Sequence, residues 1–453
     1  MRPDWAMITA LLGGTNAMRD AGTTYLPKHP AESADAYKYR MAVSTLFNGF
    51  RRTVETLSGK PFSEPLKLGV DVPAVIAIYS EDIDLEGRNL QAFAHEVLRT
   101  VLSYGLSHIL VDYPTTPESH NLAEQQAIGA RPYFVHIKPW QILGWRSERI
   151  NGVETLTQLR FMESAEEPDG EWATKVIPQV RVLEQTNFRI YRENDKGEWI
   201  LFDEGPVSIG IIPLATCYGE RTGFMTARPP LLDLAHLNIE HWQSSSDQSN
   251  ILHVARVPIL FASGFADDAP IKIGAGVAVQ NDDPAARLAY VEHSGAAIAA
   301  GRDSLKDLEE RMSVMGAELL VHRPGTRTAT EKAIETAESD SALSLMALNL
   351  EDSIELALQF MAVWDGLPDG GTIELCDDYS GADSEEAAAK ATTAKEMGII
   401  SAQTAFWILQ RGGIIPEELD WTEELARMKA EGPALGIMGS FEAAPVGANV
   451  PPA

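Results

Sequence analysis

RTATEKAIETAESDSALSLMALNLEDSIELALQFMAVWD, residues 327–365, runs for 39 residues without a glycine or a proline. Within it Leu343, Met346, Leu350, Ile354, Ala357, Leu358 and Met361 recur at helical steps, which predicts a helix with one apolar face. A continuous helix of that length reaches about 58 Å at 1.5 Å per residue, longer than a compact domain needs. Upstream, Leu231–Ala255 also lacks both breakers, and Ala296–Leu320 is interrupted only by Gly301 and Gly316. Two long helices thus flank a section whose brief β-type runs, Pro258–Phe261, Ile271–Val279 and Leu288–Val291, are punctuated by Gly264, Gly274, Gly276 and Pro284.

Working outward, residues 1–30 carry Gly13, Gly14, Gly22, Pro27 and Pro30 and predict an extended arm. Apolar spacing predicts one helix over Asp35–Leu57 and another over Gly87–Gly105, the second running into a strand at His108–Tyr113. Residues 131–218 change to short β-rich runs at Tyr133–Ile137, Thr155–Met162, Lys175–Leu183, Phe188–Tyr191 and Glu198–Phe202, a sheet of five or six strands. After the long helix come a strand at Thr372–Cys376, an acidic helix at Ser384–Met397 and a further helix capped by Ser401. Residues 432–453 are rich in Gly, Pro and Ala and predict disorder. There is no internal repeat. The fold class read from this order is α+β.

At 453 residues and 45% hydrophobic, the chain can bury a substantial core. Acids outnumber bases by 65 to 37, a formal charge of −28, which opposes tight nonspecific binding to a phosphate backbone. Two cysteines, Cys217 and Cys376, make neither a disulfide framework nor a Cys-rich zinc site. No apolar run is long enough to span a membrane, and the first residues do not read as a signal peptide, so a soluble protein in a reducing compartment is expected.

The search for catalytic motifs is negative: the chain has no phosphate-binding GxxxxGK[ST], no GxGxxG, no GxSxG and no HExxH. His236, Glu240 and His241 come nearest to a metal motif, with His236 and Glu240 on one helical face, but the spacing is wrong and no third ligand follows. No metal and no cofactor are expected. The acid pairs at 267–268, 282–283 and 377–378 sit beside turn residues and read as turn formers. One local exception to the charge balance is LLVHRPGTRTAT, residues 319–330, which holds His322, Arg323 and Arg327 and no acid. A basic loop between two long helices could touch phosphate, but the residues alone favour a plain helix–helix connection in which Thr328 or Thr330 caps the next helix and the arginines are solvated.

Several stretches in order resemble the tailed-bacteriophage portal proteins, in particular a family long catalogued as an uncharacterised phage domain. They are YLPKHP (25–30), RTVETLSG (52–59) with PF (61–62), GRNL (87–90) through Gly105 to VDYP (111–114), and Leu234–Asn250 with PIL (258–260). TATE (328–331) with MAL (346–348) and ED (351–352), and GIISAQT (398–404) through GGIIP (412–416), complete the set, which spans about residues 24–430.

The resemblance implies an N-terminal arm and α/β wing over 1–229, a first stem helix over 230–255, a clip over 256–292 and a second stem helix over 293–318. It further implies a tunnel loop over 319–326, a long helix over 327–365, a strand returning to the wing over 366–380, a helical crown over 381–431 and a disordered tail over 432–453. Such subunits form a ring of about twelve around a DNA channel, without enzymatic activity. The ring sits at the head–tail vertex of the virion after assembly in the host cytoplasm. The implied partners are further copies of the chain, double-stranded DNA, the terminase large subunit, the major capsid or scaffold protein and a head–tail adaptor, with no membrane. His322, Arg323 and Arg327 would then be the DNA contacts. The alternatives are another head–tail connector, usually a much smaller chain, or a metal-dependent enzyme built on His236, Glu240 and His241.

Overall fold

The computed structural model describes residues 1–114, 130–194, 196–255, 259–264, 284–291, 295–320, 341–376, 384–411, 414–416 and 419–431. The fold is α+β, in two compact units, Met1–Asp377 and Asp378–Ala453.

The first unit opens with helix α1, Arg2–Asp20, not with an extended arm. Trp5, Ile8, Leu11 and Met18 point inward at helical spacing and are buried, and that burial outweighs the glycines. Gly14, at φ 77° and ψ −158°, absorbs a kink. The helix expected over Asp35–Leu57 is two: α2, Ala34–Val43, and α3, Gly49–Gly59. Ser44 turns extended after α2, and Asn48 caps α3 by accepting from the Arg51 N–H. Strand β1 is Lys67–Leu68, and a short helix α4 covers Ala74–Tyr79. Helix α5, Leu90–Tyr104, follows its sequence pattern closely, with an Asn89 cap at one end and Gly105 in the left-handed region at the other.

Gly105 turns the chain into β2, Leu106–Asp112, the middle strand of a three-stranded antiparallel sheet with β3, Tyr133–Ile137, on one side. Five strands then form a meander: β4, Ile142–Ile150; β5, Val153–Asp169; β6, Ala173–Glu184; β7, Asn187–Glu193; and β8, Trp199–Pro206. Strand β9, Leu214–Tyr218, returns to the other side of β2, and β10, Glu220–Gly223, with β11, Thr226–Arg228, makes a small hairpin. The two larger sheets share a core of Leu110, Ile137, Ile142, Leu159, Phe161 and Met225.

Strands β5 and β6 outrun their neighbours. Strand β7 pairs with β6 only from Gln179 to Leu183, whereas β5 and β6 stay paired from Ser164↔Pro178 out to Asp169↔Ala173. The excess is a two-stranded arm, and Trp172 at its turn is 91% exposed.

Helix α6, Leu232–Ala255, leads to the hairpin of β12, Ile259–Ser263, and β13, Arg287–Val291, and α7, Gly295–Ala317, follows. The strand expected over Ile271–Val279 lies outside the described residues. The helix expected to run unbroken from Arg327 is interrupted at Ser341: α8 is Ala342–Asp365, and residues 327–340 lie outside the described residues. Ser341 is extended, at φ −65° and ψ 158°, and its hydroxyl accepts from the Ser344 N–H, so a side chain replaces the carbonyl a longer helix would supply. Helix α8 packs on β9, β2 and α5. Its Glu351 and Glu355 accept from the backbone N–H groups of Leu375 and Ile373, which holds β14, Ile373–Glu374, in antiparallel register with β1.

In the second unit, α9, Ser384–Glu396, packs against α10, Ala402–Arg411, and Phe406 meets Trp421 of α11, Trp421–Glu431, at 5.3 Å between ring centres.

Candidate functional site

The most organised feature outside the sheets is the pair α6–α7. Gln248 of α6 donates to the Ile298 carbonyl at 3.0 Å, and His241 Nε2 lies 3.3 Å from Glu309 Oε1. Those two contacts pair an early residue of one helix with a late residue of the other, so the helices run antiparallel. Gly301 makes close approach possible: a Cβ there would stand 2.1 Å from the Gln248 amide oxygen.

The lower part of the pair is tied to the body. Asn238 donates to the Phe47 carbonyl at 2.8 Å and accepts from the Phe50 N–H at 2.9 Å, closing both groups of one buried amide on α3 and its approach. Gln243 donates to the Tyr25 carbonyl at 3.0 Å. Arg40 of α2 is held between the Glu32 carboxylate and Ser246 of α6.

The residues singled out in the sequence separate. His236 and Glu240 are exposed on α6, whereas His241 is buried beside Phe47 and turned to Glu309. Among the described residues no set of three His, Cys, Asp or Glu is placed to hold a metal ion. Cys217 is fully buried, and desolvation pushes its thiol up to about 12, so it is no nucleophile. His322, Arg323 and Arg327 lie outside the described residues, as do the acid pairs at 267–268, 282–283 and 377–378. No helix among the described residues is long and apolar enough to cross a membrane.

Sequence reasoning missed one arrangement with chemical content. Ser107 Oγ on β2 lies 2.7 Å from His136 Nε2 on β3, and His136 Nδ1 lies 3.5 Å from Glu96 Oε1 on α5. That is the serine–histidine–carboxylate order of a hydrolase relay. The imidazole of His136, then Lys138 and Arg88, hold the Glu96 carboxyl down to about 2 against the opposing effect of burial. A cleft of about 670 Å³ opens on His136 and Glu96. But Ser107 is 0% exposed, beneath α5, and no substrate carbonyl can reach its oxygen. The arrangement joins helix to sheet.

A second network does the same between sheets. Arg181 of β6 donates to Asp112 of β2 at 2.5 Å and to Glu163 of β5 at 3.0 Å, and Tyr133 donates to Asp112 at 3.4 Å. Burial pushes the Tyr133 hydroxyl up, and the Asp112 charge adds to it. No spacing signal could reveal either network, since each joins residues far apart in the chain.

A family model described as a domain of unknown function, DUF4055, matches residues 230–365, the part from α6 to α8. No curated protein matches the chain. Among solved structures, 80% of this chain aligns with 89% of a chain from the virion of a native gene transfer agent (GTA) particle, at 11% identity and a TM-score of 0.43. A chain from the neck of an empty GTA particle, computed with C6 symmetry, aligns over 79% of this chain and 88% of its own, at 10% identity and a TM-score of 0.44. The neck of a native GTA particle, computed with C12 symmetry, gives 12% identity and a TM-score of 0.41 over 79% of this chain and 88% of that one.

Proposed function

We propose that this chain is a structural subunit of a phage-like virion, and specifically a portal protein: about twelve copies in a ring around a channel for DNA. The observation that carries the reading is the antiparallel pair α6–α7, which is pinned to the α/β body, brackets the β12–β13 hairpin and is followed by α8 within the body. This is the order of stem, clip, stem and returning helix that the sequence resemblance implies. The acidic balance of −28 suits a bore through which a duplex must slide without settling. The role is structural, and the motor ATPase is a separate chain.

On this reading the ring occupies the head–tail vertex, docks the terminase large subunit, seats in the major capsid or scaffold shell and receives a head–tail adaptor. The basic loop, with His322, Arg323 and Arg327, then meets DNA phosphates in transit.

Negative-stain images and mass measurement of the purified chain over a range of salt test the ring; a monomer at every salt and protein concentration would end the proposal. Arg323→Ala with Arg327→Ala should leave rings intact and lower packaged DNA in a phage-complementation assay. Wild-type packaging by that variant would reduce the loop to a connector.

A further inference from the structure

The β5–β6 arm extends beyond every neighbouring strand and ends in a tryptophan that its own chain leaves 91% exposed. A two-stranded ribbon is marginal alone in water, and a large aromatic at its tip adds nothing to its own fold. The arm is also acidic. Glu166, Asp169 and Glu171 are exposed on it beside one lysine, Lys175, while Glu167 is paired with Arg192 at 2.6 Å.

The same chain contains an apolar cavity of about 370 Å³ between α1 and the start of β4. Trp5, Leu106, Ile142, Trp145 and Met225 line it, and Arg2 closes one wall by donating to the Ile142 carbonyl at 3.1 Å. A volume near the low end of small-ligand sites suits one aromatic side chain. The rim has the sign opposite to the arm: Arg2 and the amino group of Met1 stand on it, both residues exposed.

The arm cannot fill the cavity of its own chain. Ile142 pairs with Phe161, and the tip begins eight residues further along β5 at Asp169, about 27 Å away at 3.4 Å per residue. Knob and hole are therefore two different patches of one subunit, the requirement for a head-to-tail contact that closes into a ring.

We infer that Trp172 inserts into the cavity under α1 of a neighbouring copy, with the acids of the arm set against Arg2 and the Met1 amino group. This contact rests on the ring reading above and names the surfaces through which the ring closes.

The test places the photo-crosslinking amino acid benzoylphenylalanine at position 172 of the full chain, in a mixture of light and ¹⁵N-labelled copies. Irradiation should join position 172 to peptides holding Trp5 or Ile142–Trp145, with mixed-isotope products proving that two copies are involved. Crosslinks confined to one copy, or to other surfaces, would overturn the inference. In parallel, Trp172→Ala should raise the subunit concentration for half-assembly at least about 30-fold, as loss of a central aromatic anchor does, and Trp172→Phe should recover most of it. Position 172 is exposed, so neither variant endangers folding. If the native chain forms rings and Trp172→Ala forms them equally well, this contact is refuted and the ring stands. If the native chain never forms rings, both readings fall together.

Discussion

Replacing Arg40 by methionine tests how the root of the helix pair is held. The side chains of Arg40 and Glu32 are 2% and 9% exposed, and two parallel bonds of 2.9 Å join them. Arg40 also donates to the Pro27 carbonyl at 2.9 Å and to Ser246 Oγ at 3.3 Å. Methionine keeps the stem length and removes every donor. The Glu32 carboxylate, its side chain 9% exposed, then keeps only the His29 N–H, which donates to it at 3.2 Å, a loss of about 3–5 kcal/mol. For a unit of 377 residues the unfolding entropy is about 0.8 kcal/mol/K, so Tm should fall by about 4–6 °C.

The pH dependence fixes the cause. The hydrogen bond from Arg40 holds the Glu32 carboxyl at about 2, below its ordinary 4.5. A depressed carboxylate stabilises the folded state above about 4.5, and that stabilisation disappears as pH falls toward 2. The variant keeps only the smaller share that His29 supplies. The difference in Tm between the two proteins should therefore be full at pH 7 and smaller at pH 3.5, measured by calorimetry. A deficit under about 1 °C at pH 7, or one unchanged at pH 3.5, would refute the reasoning.

Gly105→Ala should destabilise the first unit by about 2 kcal/mol or more in denaturant titration, because φ is +91° and the added Cβ would stand 2.6 Å from the Arg228 backbone carbonyl. Wild-type stability in that variant would mean that the α5–β2 turn and Arg228 are less close than described. A thiol reagent should modify Cys376 in the native protein and reach Cys217 only after unfolding, since Cys217 is wholly buried and its thiol is pushed up to about 12. Two equally fast thiols would contradict that.

Local signals carried much of the fold. Helix α5 has every one of them: Asn89 as cap, apolar residues on one face, and Gly105 as terminator. Where the reading failed, a single local rule was given too much weight. Gly13 and Gly14 masked the spacing of Trp5, Ile8 and Leu11 that makes α1, and the lack of Gly and Pro before Asp365 masked the cap at Ser341. Strand β4, ILGWRSERI at 142–150, drew no β reading because its glycine and charges dilute the alternation, yet it pairs with β5 along its length. The acidic run that ends β5 lay beyond the strand expected at Thr155–Met162, and it is the projecting half of the arm. The Ser107–His136–Glu96 and Asp112–Arg181–Glu163 networks are set by how sheets and helices stack, and that information is not local.

The bonds at the root of α6–α7 have a mechanical side. Asn238 and Gln243, with Arg40 at Ser246, are spread over about nine residues of α6 and grip three separate segments of the body. A pull along the helix axis loads these bonds together, in shear, instead of opening them one after another as peeling from an end would. The pair is thus mounted as a stiff strut, and displacement of the β12–β13 hairpin is delivered to α2, α3 and the segment at Tyr25 before it is lost in bending.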